Sequence, residues 1–395
     1  MYGAGNIGRG FIGALLSQCG YDVVFIDVNP QVVEALNAQG GYIQEIVGET
    51  PRENWISGVR AVSGMDEEKV VREIASADLM ATALGAAVLP KVVPLIARGL
   101  EARWQKNPDD VLDILICENL MNADQFLRKL LKKELAEPYQ SLMDRSLGLV
   151  ETSIGRMVPI MTPAMQKGDI LRICVEAYDY LPVDRAALKG KLPDYPKLIA
   201  YTPFGFYLER KLYIHNMAHA MTAYLGQLMG KEYIYEAIGN MTIRNFVENA
   251  MAESALAIGK KYGEPYEKLA PHIQDLLYRF SNRALGDTVT RVSRDPVRKL
   301  QPEDRLVGAA RNGQAQGGEI QYLALAIAAC VSVQAKKTGT EPQSIITSVC
   351  QIDAAEPLGK NVLHFTKLLT QDTIDWQKIA ENVDAMGHTG RGMIP

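Results

Sequence analysis

The chain has 395 residues, 47% hydrophobic and 22% charged, with a formal net charge of −4. That length holds two domains with a core each, and the slight negative balance argues against nucleic acid or an anionic membrane as the main partner. Cys19, Cys117, Cys174, Cys330 and Cys350 form no C-x-x-C pair, no stretch nears the roughly 20 unbroken apolar residues of a membrane span, and no basic-then-apolar leader opens the chain; a soluble cytoplasmic protein with reduced cysteines is expected.

The first stretch, Gly3-Ala-Gly5-Asn6-Ile7-Gly8, carries G-x-G-x-x-G and runs into an apolar helix ending near Gly20. Val23-Val-Phe-Ile-Asp27 then reads as a buried strand closing on a carboxylate, 19 residues beyond Gly8. The physical logic is that of a dinucleotide site. Gly3 makes a tight turn, Gly5 lets backbone approach a pyrophosphate, and Gly8 permits close helix–strand packing. Asn6 and Ile7 open the helix, where unpaired N–H groups face the phosphates, and Asp27 accepts hydrogen bonds from the adenosine ribose. Val28, Asn29 and Pro30 follow without an arginine to neutralise a 2′-phosphate, so NAD is favoured over NADP. Such a fingerprint follows a first strand of about five or six residues. Only Met1 and Tyr2 precede Gly3, and the expectation is a truncated first strand.

The alternation continues with a helix from Glu67 to Ala75, a strand from Asp78 that ends in a turn at Gly85, a helix from Val88 to Gln105 and a buried strand from Leu112 to Cys117. Glu118-Asn119 stands where that strand stops, and another helix begins near Asp124. Strand and helix in alternation predict a doubly wound α/β sheet, with ligands at the carboxyl ends of the strands, where Gly85 and Asn119 stand. Around 150–200 the sequence turns proline-rich, with an extended segment from Ile170 to Ala177 and a linker. From Tyr207 on, helical periodicity dominates, over 207–228, 231–238, 241–261, 266–283, 319–337, 341–350 and 359–369. The expected organisation is a dinucleotide-binding domain over 1–185 and a mainly α-helical substrate domain over 186–395.

Lys211, Asn216 and His219 are spaced i, i+5, i+8. At roughly 100° per residue they fall within about 140° of one another, so one face of an α-helix carries an amine, an amide and an imidazole. A partly desolvated lysine with a lowered pKa accepts an alcohol proton as hydride leaves carbon. Asn216 and Asn119 then donate to the developing oxyanion, and His219 fixes a neighbouring hydroxyl. Tyr207-x-x-x-Lys211 also fits a short-chain-dehydrogenase pattern, but the T-G-x-x-x-G-x-G signature is absent. The histidines, His215, His219, His272, His364 and His388, show no H-E-x-x-H spacing, and no metal is expected; the last three read as structural or surface residues. The basic segment from Arg291 to Arg305 offers Arg294 and Arg298 to a phosphate or acidic sugar group, and Arg156 is a third candidate.

These stretches together resemble the polyol-specific long-chain dehydrogenases. The resemblance rests on Gly3 to Gly13, on Ile116-Cys-Glu-Asn119, on Glu209-Arg-Lys-Leu212 with K-x4-N-x2-H, on His219-Ala-Met-Thr-Ala-Tyr-Leu225, and on Arg298-Lys-Leu-x3-Asp304-Arg-Leu-Val307. It spans residues 3 to about 310, and the total length fits the family's shorter, phosphate-using branch. It implies an N-terminal Rossmann domain, a helical C-terminal domain with a cleft between them, NAD as cofactor, a small polyol or sugar phosphate as substrate, no metal, and a monomer in preference to a dimer. It also implies that Lys211 is the general acid/base, that Asn119 and Asn216 polarise the reacting oxygen, and that His219 contacts substrate. The chain departs from the family pattern at Gly155, at Met217 and Ala218, and at His215, which bears on the identity of the sugar.

Overall fold

A computed structural model describes residues 1–387, leaving His388 outside the described residues, and divides the chain into two compact units, Met1–Tyr207 and a second from Leu208 on. The first unit contains ten strands: β1 (Val23–Asp27), β2 (Gly41–Ile46), β3 (Arg52–Ser57), β4 (Val59–Ser63), β5 (Met80–Thr82), β6 (Leu112–Ile116), β7 (Leu147–Glu151), β8 (Ile173–Val175), β9 (Leu181–Asp184) and β10 (Leu198–Tyr201). A parallel sheet runs β4, β1, a short stub at Tyr2, β5, β6, β7. This is the doubly wound order in which the chain's first segment lies at the centre.

Every residue of β6 is buried, as expected of a central parallel strand covered on both faces. Its one carboxylate, Asp113, accepts the N–H groups of Lys189 and Gly190 at 2.9 Å each, which satisfies it inside the core. The covering helices start on side-chain caps. Asn29 accepts from Gln31 and Val32 at the head of Pro30–Gln39, and Asp66 accepts from Lys69 at the head of Glu67–Ser76.

The central stub makes a full set of ladder bonds for its length. Tyr2 N–H donates to Ala81 and Gly3 N–H to Ile26, while Ile26 and Ala83 donate back to Met1 and Tyr2, all within 2.7–2.9 Å. The Met1 amine is buried, donates to the Val24 carbonyl at 2.8 Å, and has its pKa pushed down to about 5 by burial. Beside it lies a cavity of about 580 Å³, lined by Val23, Val24, Val59, Ile74, Leu79 and Met80 among others.

Residues 41–57 and 173–175 form a second, three-stranded sheet in which β2 pairs antiparallel with β3 and parallel with β8. The expected linker is structured instead. β9 and β10 pair in parallel, and Thr152 bridges to Val183, which holds the chain in the first unit as far as Tyr207. The compact units therefore divide at 207/208, where the sequence leads one to expect 185/186.

The second unit is helical, with long helices at Met217–Leu228, Met241–Tyr262, Tyr266–Phe280, Gln321–Thr338 and Pro357–Leu369. Gln321–Thr338 is buried on nearly every side, the mark of a helix at the centre of a bundle. Its N-terminus is met by Glu253, whose carboxylate accepts from Tyr322 at 3.1 Å and Leu323 at 3.0 Å. Among the described residues no helix is long and apolar enough to cross a membrane.

Candidate active site

The glycine loop of the first unit is built for close approach. Gly3 has φ +99°, and a Cβ there would lie 2.6 Å from the Ala83 carbonyl oxygen. Gly5 is the opposite case: a Cβ would meet nothing within 4 Å, so that side of the loop opens on space a pyrophosphate can enter. At Gly8 a Cβ would sit 2.1 Å from the Gly3 carbonyl oxygen, so Gly8 seats the helix on the loop. The close helix–strand packing expected there belongs to Gly13, whose Cβ would lie 2.4 Å from the Phe25 ring. Residues 6–18 are helical throughout, with Gly8–Gly13 wound as a π-helix and Asn6 and Ile7 at its start. Asp27 accepts from Ala4 at 2.7 Å and Asn29 at 2.9 Å, one bond to each oxygen. A carboxylate oxygen accepts more than one bond, so ribose hydroxyls fit beside those partners. Open space at Gly5, a free helix start and an acid at the end of β1 together suit a dinucleotide.

At the ends of β5 and β6, Gly85 (φ +90°) and Leu84 donate to Glu118, at 2.7 and 2.9 Å. This buried carboxylate ties the turn after β5 to the end of β6, and Asn119 beside it is exposed at the carboxyl end of the sheet. Sequence reading quoted the Glu118-Asn119 pair but gave no task to Glu118. At the end of β7, Glu151 accepts from Ala123 at 2.9 Å, and burial with Asp124 nearby pushes its pKa up to about 6. Arg156 is engaged inside the first unit: it donates to the Glu176 and Gly10 carbonyls, at 2.9 and 3.2 Å, and lies over the Phe11 ring. It braces backbone, so a phosphate-binding role would need those bonds to open.

In the second unit the helix carrying the trio is not a regular α-helix. Arg210–Asn216 is a π-helical stretch that continues into the α-helix Met217–Leu228. A π-helical turn is wider than an α-helical one, so the α-helical angle expected between Lys211 and Asn216 does not apply. Ser254 Oγ donates to the Tyr213 carbonyl at 2.9 Å inside this turn. Lys211, Asn216 and His219 are each half-buried, whereas Met217 and Ala218 are fully buried and face the core. His215 is buried against the Phe280 ring, 5.8 Å between centroids. Burial, then the charges of Arg279, His219, His272 and Lys211, push its pKa well down, so it packs as a neutral ring. His219 Nε2 donates to the Asp287 carboxylate at 2.9 Å, and its ring stacks on Phe280 at 5.1 Å. Asp287 was missed in the sequence, where nothing marks it.

The basic segment is mostly occupied with itself. Lys299 is buried, donates to the Val292 and Arg294 carbonyls, and has its pKa lowered to about 8 by burial and by Arg305. Arg305 holds Asp304 at 2.7 Å and Arg291 holds Asp287. Arg294 and Arg298 are exposed, and Arg298 reaches Asp304 at 3.3 Å. Of the other histidines, His364 pairs with Asn382 at 3.0 Å, and His272 is half-buried with its Nε2 atom buried and unpartnered among the described residues. No group of three or more His, Cys, Asp or Glu suited to a metal ion occurs among the described residues.

Comparison with known proteins matches a family domain to most of each unit. Residues 1–197 match the mannitol dehydrogenase Rossmann domain, and residues 205–376 match the mannitol dehydrogenase C-terminal domain. Among solved structures, a D-sorbitol dehydrogenase in substrate-free form is similar at a TM-score of 0.76 and 14% identity, over 94% of this chain and 93% of that one. The ternary complex of Pseudomonas fluorescens mannitol 2-dehydrogenase with NAD and D-mannitol is similar at 0.73 and 14%, over 98% and 94%. The chain belongs to the mannitol dehydrogenase family of NAD-dependent oxidoreductases.

Proposed function

We propose that the chain interconverts D-mannitol 1-phosphate and D-fructose 6-phosphate by direct hydride transfer. The observation that carries this reading is that Lys211, Asn216 and His219 stand half-buried on one continuous helix, whose first part, Arg210–Asn216, is π-helical. NAD, when bound, supplies the hydride acceptor. The pyrophosphate is received at Gly5 and the helix start beyond it, and the ribose at Asp27. Lys211 Nζ takes the alcohol proton during oxidation and returns it to the carbonyl oxygen during reduction. The Asn216 and Asn119 side-chain amides donate to that oxygen as it gains charge, which stabilises the alkoxide-like state. His219 holds a neighbouring hydroxyl of the polyol. Arg294 and Arg298 are the exposed cations available to a phosphate ester, and the protein acts as a cytoplasmic monomer.

A second reading keeps the chemistry and changes the substrate to an unphosphorylated polyol or a hexuronate. It is favoured by the two similar structures, named for sorbitol and mannitol without phosphate, and by the engagement of Arg156 with backbone.

Lys211→Met tests the assignment of the base. Turnover should fall by at least the 10²- to 10⁴-fold that a general acid/base typically contributes, while NADH affinity stays within about twofold. Wild-type turnover in this variant would remove Lys211 from the mechanism.

A further inference from the structure

His219 is held on two sides. One face of its ring stacks on Phe280, with centroids 5.1 Å apart and an interplanar angle of 17°, and its Nε2 lies 2.9 Å from Asp287 Oδ2. Asp287 is itself fixed. Its side chain is 10% exposed, and its other oxygen takes both Nε, at 2.8 Å, and Nη2, at 2.5 Å, of Arg291 one helical turn on. Its backbone is pinned as well: Ile234 N–H donates to the Asp287 carbonyl at 2.9 Å, and the neighbouring Thr288 bridges antiparallel to Tyr233. Thr288 also caps the short helix that carries Arg291, accepting its N–H at 3.2 Å. Arginine, carboxylate and imidazole thus form a chain 72 residues long in sequence and three side chains long in space.

We propose that Asp287, clamped by Arg291, is a positioning residue that fixes His219 in its Nε2–H tautomer and so turns Nδ1 toward the substrate as a hydrogen-bond acceptor. A carboxylate between an arginine and an imidazole accepts and does not donate, so the ring nitrogen facing it carries the proton. Nδ1, which takes no hydrogen bond among the described residues, is left with its lone pair. An acceptor nitrogen selects a donor. The group it receives is a hydroxyl of the polyol or ketose, and not a carboxylate or phosphate oxygen. Those groups belong elsewhere in the site, which separates the hydroxyl-reading end of a substrate from its anionic end. The logic is that of a carboxylate orienting a catalytic imidazole, in which exchange of Asp for Asn preserves shape and permits the wrong tautomer.

This inference rests on the reading of His219 as a substrate contact, and the test separates the two. His219→Ala, Asp287→Asn and the double variant are compared in ketose reduction by NADH, with KM and kcat determined separately. Asp287→Asn should lower kcat/KM by about 10²-fold, the scale expected when a reacting group is misplaced, while NADH affinity is unchanged. The double variant should be no worse than His219→Ala alone, because Asp287 acts through the ring. His219→Ala with wild-type kinetics would remove the substrate contact and the inference together. A dead His219→Ala beside an active Asp287→Asn, or losses that simply multiply in the double variant, would overturn the inference and leave the contact standing. The wild-type protein supplies a test that no folding defect can spoil: ¹⁵N spectra of labelled histidine should show His219 protonated at Nε2, and protonation at Nδ1 would refute the proposal.

Discussion

Gly5→Ala separates folding from cofactor binding within a single loop. A methyl group at Gly5 meets nothing within 4 Å, and Gly5 is not among the positive-φ glycines, so alanine fits the existing backbone. Stability should change by less than about 0.5 kcal/mol, or rise slightly as the unfolded chain loses freedom. The same methyl stands in the space where the pyrophosphate approaches, so NADH affinity should fall at least tenfold, about 1.4 kcal/mol or more. Gly8→Ala is the contrast. Its Cβ would stand 2.1 Å from the Gly3 carbonyl oxygen, a clash of backbone with backbone that no rotamer relieves. Ordinary overpacking costs about 1–3 kcal/mol where side chains can give way, and this site should cost more, a large share of a typical folding free energy. Thermal unfolding and NADH fluorescence titration of both variants form the assay. Gly5→Ala that binds NADH as tightly as wild type would refute the placement of the pyrophosphate, and Gly5→Ala that unfolds early would refute the geometry of the loop.

A further outcome follows from a buried ionisable group. Burial pushes the pKa of Glu253 from 4.5 up to about 7. The folded state thus holds this proton more tightly than the unfolded state, and stability is lost as pH rises from about 4.5 to about 7. Glu253→Gln should remove that loss, so the stability difference should move by about 3 kcal/mol in the variant's favour across this window. Urea unfolding curves for variant and wild type that keep a constant separation across the same pH range would contradict it.

What was legible in the sequence was local. The path from Gly3 through the apolar helix to Asp27 is one supersecondary unit, and its glycines, strand and acid signal at fixed offsets. The helical periodicity after Tyr207 was equally readable. The division at 207/208 differs from the boundary expected at 185/186 for a non-local reason: β9 and β10 are four residues each, lie in proline-rich sequence, and are specified by pairing with each other and by the bridge from Thr152 to Val183. Residues 41–63, which hold three strands, carried no clear alternation because their partners are split between two sheets. The π-turn was also invisible, since the bond from Ser254 to the Tyr213 carbonyl comes from a helix 41 residues away. Among the candidate site residues, Lys211, Asn216 and His219 could be grouped because they share a helix. The bracing of Arg156 could not be read, because exposed and braced arginines look alike in sequence. Asp287 was missed because its partner lies 68 residues earlier.

The most direct test of the central claim is the rate of NADH consumption with D-fructose 6-phosphate, measured against unphosphorylated D-fructose under the same conditions. The proposed function predicts turnover of the phosphate ester with kcat/KM at least 10²-fold above that for fructose, a preference that Arg294→Ala and Arg298→Ala should reduce. Equal turnover of both, or a preference for fructose, would contradict the phosphate assignment and direct the substrate to the unphosphorylated polyols. Activity on neither would send the search to other ketoses and to hexuronates.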